Sequence, residues 1–114
     1  MPRDEALLLD LLIAARKIVR YTDASTLEEF AGSDVLQDAV MRQIQIIGEA
    51  ASRISPETRE KHPHIPWHEM IGMRHRLVHQ YREIDVQRVW DAARISVPEL
   101  IAAIEPLVPP NEGE

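Results

Sequence analysis

The residues best equipped for chemistry stand together in one segment, Arg74-His-Arg-Leu-Val-His-Gln-Tyr81. Histidine titrates near neutrality and moves protons. Arginine carries a permanent planar charge that grips phosphate or carboxylate oxygens. Around them the apolar spacing is helical: Trp67, Met70, Ile71, Leu77, Val78 and Tyr81 form an inward stripe. At ~100° per residue, Arg74 falls near the centre of that stripe. A buried, unpaired guanidinium would be strongly destabilising. Two explanations stay open. Either Arg74 pairs with a carboxylate, for which Glu49 is the candidate, or the stripe opens into a cleft or an interface. His79 lies about 140° around the axis from Arg74. Its ring shares a site with Arg74 only where the helix loosens or where a second subunit brings the two together. A lone histidine at a helix C-terminus also has a plain role, as a surface residue favoured by the helix dipole. Tyr81 returns to the Arg74 face, and His75, Arg76 and Arg82 add polar and positive character.

The other histidines raise a different chemistry. His64/His68 and His75/His79 are both spaced i, i+4, which on a helix can bind zinc. There is no HExxH and no cysteine, and His62-Pro-His64 falls in a connector. No inward carboxylate cluster stands out for Mg²⁺. The pattern therefore calls for neither a metal nor another cofactor.

The elements that must position these side chains are all helical. Leu8, Leu11, Leu12, Ala15, Ile18 and Val19 predict a first helix over about 4–21. Thr26 and Glu29 form a capping box for a short turn through Phe30. Gly32-Ser33-Asp34 stops that turn and caps a long second helix with the stripe Leu36, Val40, Ile44, Ile47, Ala51 and Ile54. A second row, Val35, Ala39, Ile46 and Ala50, widens the stripe, as in a central helix packed on two sides. Ser55-Pro56 ends it, and residues 57–66 read as a polar connector with room for one turn. Pro66 suits the first position of the helix that carries the motif. Asp85 caps the last helix, whose inner face is Val86, Val89, Trp90, Ala93, Val97, Leu100, Ile101 and Ile104, with a kink at Pro98. Pro106, Pro109 and Pro110 end it. The fold class is all-α: an antiparallel up-and-down bundle of four principal helices, one domain over 1–110 with a flexible tail at 111–114.

Composition narrows the classes further. The chain has 114 residues and 45% apolar content, enough for one globular core. The net charge of −6 argues against nonspecific coating of nucleic acid, but a small basic site remains open. Of the 13 cations only Lys17 and Lys61 are lysine. The early apolar run Ala6–Leu9 is broken by Asp10, which does not fit a signal peptide. No stretch approaches the ~20 apolar residues of a membrane span. A cytoplasmic protein is expected.

The string Gly72-Met-Arg-His-Arg-Leu-Val-His-Gln-Tyr81 resembles the Arg-x4-His-x-Tyr signature of the HepT-like branch of HEPN-domain proteins. Three further pieces agree. Asp38-Ala-Val-Met-Arg-Gln-Ile-Gln-Ile-Ile-Gly-Glu-Ala50 is similar to the family's second helix, Trp67 stands before the motif, and Ile84-Asp-Val-Gln-Arg-Val-Trp90 with Pro98-Glu-Leu100 is similar to its last helix. The resemblance covers about residues 4–107. His75 departs from it, standing where the family often has Asn.

The resemblance implies an HEPN-like bundle and a metal-independent endoribonuclease, the toxin of a toxin–antitoxin pair acting on RNA such as tRNA or mRNA. The implied partner is a nucleotidyltransferase of the MNT type that adds AMP to Tyr81. The implied catalytic pair is Arg74 and His79, with His75, Arg76, Arg82 and Glu49 supporting or contacting RNA. The chemistry is coherent. RNA supplies its own nucleophile, the 2′-OH, so a histidine to move protons and an arginine for the phosphorane charge suffice, leaving a 2′,3′-cyclic phosphate. A homodimer would gather two such pairs in one cleft, with the 67–81 helices meeting across a two-fold axis. The alternative is a non-catalytic helical module that partners the nucleotidyltransferase, with Arg74 as an interface anchor. Toxicity that depends on His79 distinguishes the two.

Overall fold

The structure, a computed structural model, describes residues 2–79 and 84–109. Helix α1 spans Pro2–Asp23, α2 Leu27–Ala31, α3 Asp34–Arg53, α4 Pro56–Lys61 and α5 Trp67–His79. The last principal helix is composite: α6, Val86–Asp91, runs through a wide turn at Ala92–Ser96 into α7, Val97–Ile104, and a 3₁₀ turn at Glu105–Leu107. No strand occurs among the described residues. The chain is an all-α bundle of the expected class.

Local chemistry sets the helix boundaries. The Thr26–Glu29 capping box forms, with Glu29 N–H donating to Thr26 Oγ1 at 3.1 Å and Thr26 N–H donating to Glu29 Oε1 at 3.0 Å. Ser33 Oγ accepts from Leu36 N–H, and Asp85 Oδ1 from Gln87 N–H, as expected of N-caps. Pro66 sits one step earlier than predicted. Its carbonyl accepts the first helical bond, from Met70 N–H at 3.1 Å, so it caps α5 from outside. Trp67 then swings back, and its indole N–H donates to His62 O at 3.0 Å. The connector holds a helix of its own, α4, because Ser55 caps it and Pro56 starts it.

Pro98 produces a widened turn rather than a sharp break. Val97 N–H reaches back five residues to Ala92 O. Proline has no N–H to offer and its ring excludes the carbonyl four residues earlier, so the preceding backbone loosens by one residue.

Packing places α3 at the centre, against α1 on one side and α5 on the other. Leu11, Ala15, Ile18, Val40, Ala51 and Ile104 are fully buried. Val35 is not part of this face. It is 81% exposed, because it lies in the first turn of α3, beyond the reach of either neighbour. Contacts run in opposite order along neighbours. Arg16 pairs with Glu105 at 2.8 Å, whereas Thr22, further along α1, accepts from Arg94 at 3.1 Å, so α1 and the last helix are antiparallel. Phe30 stacks on Trp90 with centroids 5.3 Å apart and fastens α2 to α6. Among the described residues α5 leans heavily on α3 and only lightly on the last helix. Along that open seam lies an apolar groove of 210 Å³, with Ile44, Met70, Met73 and Val97 in its walls.

Asp4 closes the opposite end. Its buried carboxylate accepts from Ser55 Oγ and Thr58 Oγ1, both at 2.6 Å, and from Ser55 N–H at 3.1 Å. The start of α1 is thereby tied to the start of α4, just past the end of α3. The Ser55 hydroxyl, then that of Thr58, holds the Asp4 carboxyl below the usual aspartate value, outweighing the opposing effect of burial. A depressed folded pKa contributes stability above the unfolded value, and that contribution is lost as pH falls through the folded pKa. Replacement by Asn should therefore lower stability at pH 7 by about 1–2 kcal/mol. The gap between Asp4→Asn and the parent should close in thermal melts between pH 5 and the strongly acid range (about 4 and below). A gap independent of pH would show that the carboxylate charge is not what binds the two helices.

Candidate active site

The motif helix is pinned by three buried side chains, Trp67, Met70 and Leu77, which turn one face of α5 onto α3. Between Met70 and Leu77 on this face the α3 residue is Gly48, itself buried. A Cβ at Gly48 would collide with Arg74 Cβ, lie 2.8 Å from Met70 O and come within 3.2 Å of Arg74 Cδ. Glycine is required here because two backbones and the stem of Arg74 share the space of one side chain. Arg74 therefore stands where α3 and α5 approach most closely, half-buried, with its methylenes lying over glycine.

The expected Glu49–Arg74 pair does not form. Glu49 Oε1 instead takes Arg53 Nη2 at 3.0 Å, one turn along its own helix. The reason is rotational: Gly48 faces α5, so its neighbour is turned ~100° off the seam. Among the described residues Arg74 has no ion pair. Its charge remains available to an anion outside this set.

Beyond Arg74 only Leu77 remains buried. His75, Arg76, Val78 and His79 are all exposed. Val78, placed on the inner stripe by periodicity, is 49% exposed, because Leu77 faces α3 at this height and its neighbour is turned about 100° away. The helix stays regular through His79, so it does not loosen to carry that ring toward Arg74. The ring of His79 meets His75 instead, with centroids 4.4 Å apart. Tyr81 and Arg82 lie outside the described residues.

Two arginines that sequence reasoning missed flank this end of the helix. Arg42 of α3 lines a cleft of 180 Å³ with Leu77, and Arg88 of α6 lines another of 90 Å³ with Arg76 and Leu77. Their signal in the sequence is faint, since each is an isolated cation on the outer side of an amphipathic helix. Only the approach of three helices groups them around Leu77.

The zinc spacings divide. His64 precedes α5 and stacks edge-on with His62 at 6.0 Å, so it does not share a helix with His68. His75 and His79 do share one. Among the described residues no three His, Asp or Glu side chains are grouped to hold a metal ion. No helix among them is long and apolar enough to cross a membrane.

Comparison with known proteins identifies relatives of this chain. A family model described as ribonuclease HepT-like matches residues 11–107. A protein of Methanocaldococcus jannaschii named "Putative RNase" is 37% identical over 116 residues, covering 100% of this chain and 96% of its own. A second from the same organism, with the same designation, is 37% identical over 110 residues, covering 95% of each. A protein of Thermococcus cleftensis named "Probable ribonuclease HepT" is 36% identical over 98 residues, covering 86% of this chain and 89% of that one. No solved structure gives a significant match.

The helix crossing is open to a direct check. Gly48→Ala should destabilise the fold by about 1–3 kcal/mol, the usual range for overpacking a tight contact. Gly72→Ala, where a Cβ meets nothing within 4 Å, should be neutral or stabilising. Urea melts of the two variants decide it. Equal stability of both would mean that α3 and α5 do not approach at Gly48.

Proposed function

The chain belongs to the HepT-like ribonuclease family, and on that footing we propose that it is a metal-independent endoribonuclease, the toxin half of a toxin–antitoxin pair. The observation that carries the reading is Arg74: a half-buried arginine, with its stem over Gly48 and without an ion pair among the described residues. An arginine so placed is preorganised for an external anion, and a phosphodiester fits its fork.

The mechanism follows from RNA's own reactivity. A 2′-OH attacks the adjacent phosphorus, the P–O5′ bond breaks, and a 2′,3′-cyclic phosphate forms. Arg74 offsets the negative charge that builds on the non-bridging oxygens. His79, exposed at the end of the same helix, moves protons. Arg42, Arg76 and Arg88 offer contacts for the flanking phosphates. A homodimer that brings two α5 helices together places the Arg74 of one protomer near the His79 of its partner, which a single regular helix does not do. The proposed partner is an MNT-type nucleotidyltransferase that silences the enzyme by adding AMP to Tyr81. An added phosphate and base beside the motif would obstruct RNA and compete for the same arginines.

Two measurements test this. Purified protein should cleave total RNA in excess EDTA, leaving 2′,3′-cyclic ends. Arg74→Ala and His79→Ala should each lose about 100-fold or more while keeping the parental circular dichroism. Cleavage that needs an added divalent ion removes the mechanism, and growth arrest without any RNA cleavage favours the binding-module alternative. Co-expression with the nucleotidyltransferase should raise the intact mass by whole AMP units mapped to Tyr81, with RNase activity lost. Full neutralisation of a Tyr81→Phe variant by the same route would replace modification by simple complex formation.

A further inference from the structure

His75 has no structural task. It is exposed, faces away from the core and makes no ion pair among the described residues. Among the described residues its ring lies against that of His79, one turn further along α5, with centroids 4.4 Å apart and planes inclined at 48°. We propose that His75 is a second proton-transfer residue, so that one protomer carries both the acid and the base for RNA cleavage. This rests on the ribonuclease reading above and deepens it.

The chemistry asks for two proton carriers. When the 2′-oxygen bonds to phosphorus it must lose its proton, and when the P–O5′ bond breaks the departing oxygen must gain one. A single imidazole cannot stand beside the entering and leaving oxygens at once, because in-line displacement puts them on opposite sides of phosphorus. Two imidazoles side by side on one edge of a helix can serve both. One ring takes the 2′-OH proton as the other donates to the 5′-oxygen. After the step the first ring holds the extra proton and the second lacks one. Rings in contact can restore the starting state by passing that proton back, directly or through one water. Arg74 from the partner protomer offsets the charge on the phosphorane oxygens while this exchange proceeds.

The assignment also changes what a dimer contributes. If acid and base come from one chain, a two-fold assembly holds two sites, each needing only an arginine from across the axis. If His79 works alone, the two subunits share a single composite site.

The experiment compares His75→Asn and His79→Asn with the parent on two substrates. One is a diribonucleotide, whose leaving alkoxide needs a proton. The other is a nucleoside 3′-(4-nitrophenyl phosphate), whose phenolate leaves without one. Both variants should lose about 100-fold or more on the diribonucleotide. Exactly one of them, the variant lacking the acid, should recover most of its rate on the aryl ester. The parent's kcat/KM on RNA should be bell-shaped in pH, and each variant should keep one limb. A His75→Asn enzyme within a few-fold of the parent on the diribonucleotide, or equal losses for both variants on both substrates, overturns the pair while leaving the nuclease assignment standing. A parent that cleaves neither these substrates nor total RNA overturns the nuclease assignment and this inference with it, and a His75→Asn enzyme that cleaves total RNA like the parent overturns the pair alone. Both positions are exposed, and circular dichroism of each variant separates lost chemistry from lost folding.

Discussion

The approach of α3 to α5 at Gly48 governs both the core and the chemistry. Met70 O and the Arg74 stem occupy the volume that any other side chain at Gly48 would need. With glycine there, Trp67, Met70 and Leu77 can seat fully against α3. The same contact leaves Arg74 half-buried, with its stem lying over Gly48. A wider crossing would release Arg74 into solvent, where holding it still would cost side-chain entropy. A deeper one would demand a buried counter-ion. A charged residue on an apolar stripe is tolerated here because Arg74 is half-buried rather than enclosed, while Met70 and Leu77 on either side of it carry the burial.

The rest of the bundle keeps that crossing in place. Asp4 ties the head of α1 to the head of α4, fixing where α3 ends and how the connector leaves it. The indole N–H of Trp67, bonded to His62 O, fixes where the connector returns. Between these two points the chain has little freedom, so α5 begins at a defined height along α3. At the far end Phe30 on Trp90 and Arg94 on Thr22 hold the composite last helix to α1 and α2 rather than to α5. The seam beside α5 is thus left open by the way the last helix is anchored.

Helix existence, the capping residues and most inward faces were legible in the sequence, because each depends on neighbours within one or two turns. Thr26/Glu29, Ser33 and Asp85 behave as their types and positions dictate. What was not legible depends on rotation or on distant partners. Glu49 looked like a counter-ion for Arg74 until the facing of Gly48 turned it toward Arg53. Nothing local to Asp4 announces that Ser55 and Thr58, more than fifty residues away, would surround it. Pro98 announced a kink, but not that the backbone would answer with a five-residue turn ahead of it. His79 was measured against Arg74, whereas its nearest aromatic partner is the residue that looked like a departure from the family pattern.

The charge distribution bears on how an acidic chain can act on RNA. A net charge of −6 repels a polyanion at long range, so affinity must come from a local field. Arg42, Arg76 and Arg88 come from three different helices and meet around Leu77, next to the exposed edge that carries His75 and His79. Carboxylates stand among them: Asp38 lines the cleft of Arg42, Asp85 lines that of Arg76 and Arg88, and Asp34 and Asp38 border the neighbouring groove. A strand of phosphates laid over this end meets an attracting guanidinium and a repelling carboxylate in each cleft, which limits the directions it can take across α5. Screening confines such attractions to about 8–10 Å at ordinary salt, so the selection acts only on RNA already at the motif. Weak long-range attraction with strong local orientation suits an enzyme that must not coat nucleic acid indiscriminately, and here it follows from where a few arginines fall on three helices whose spacing Gly48 sets.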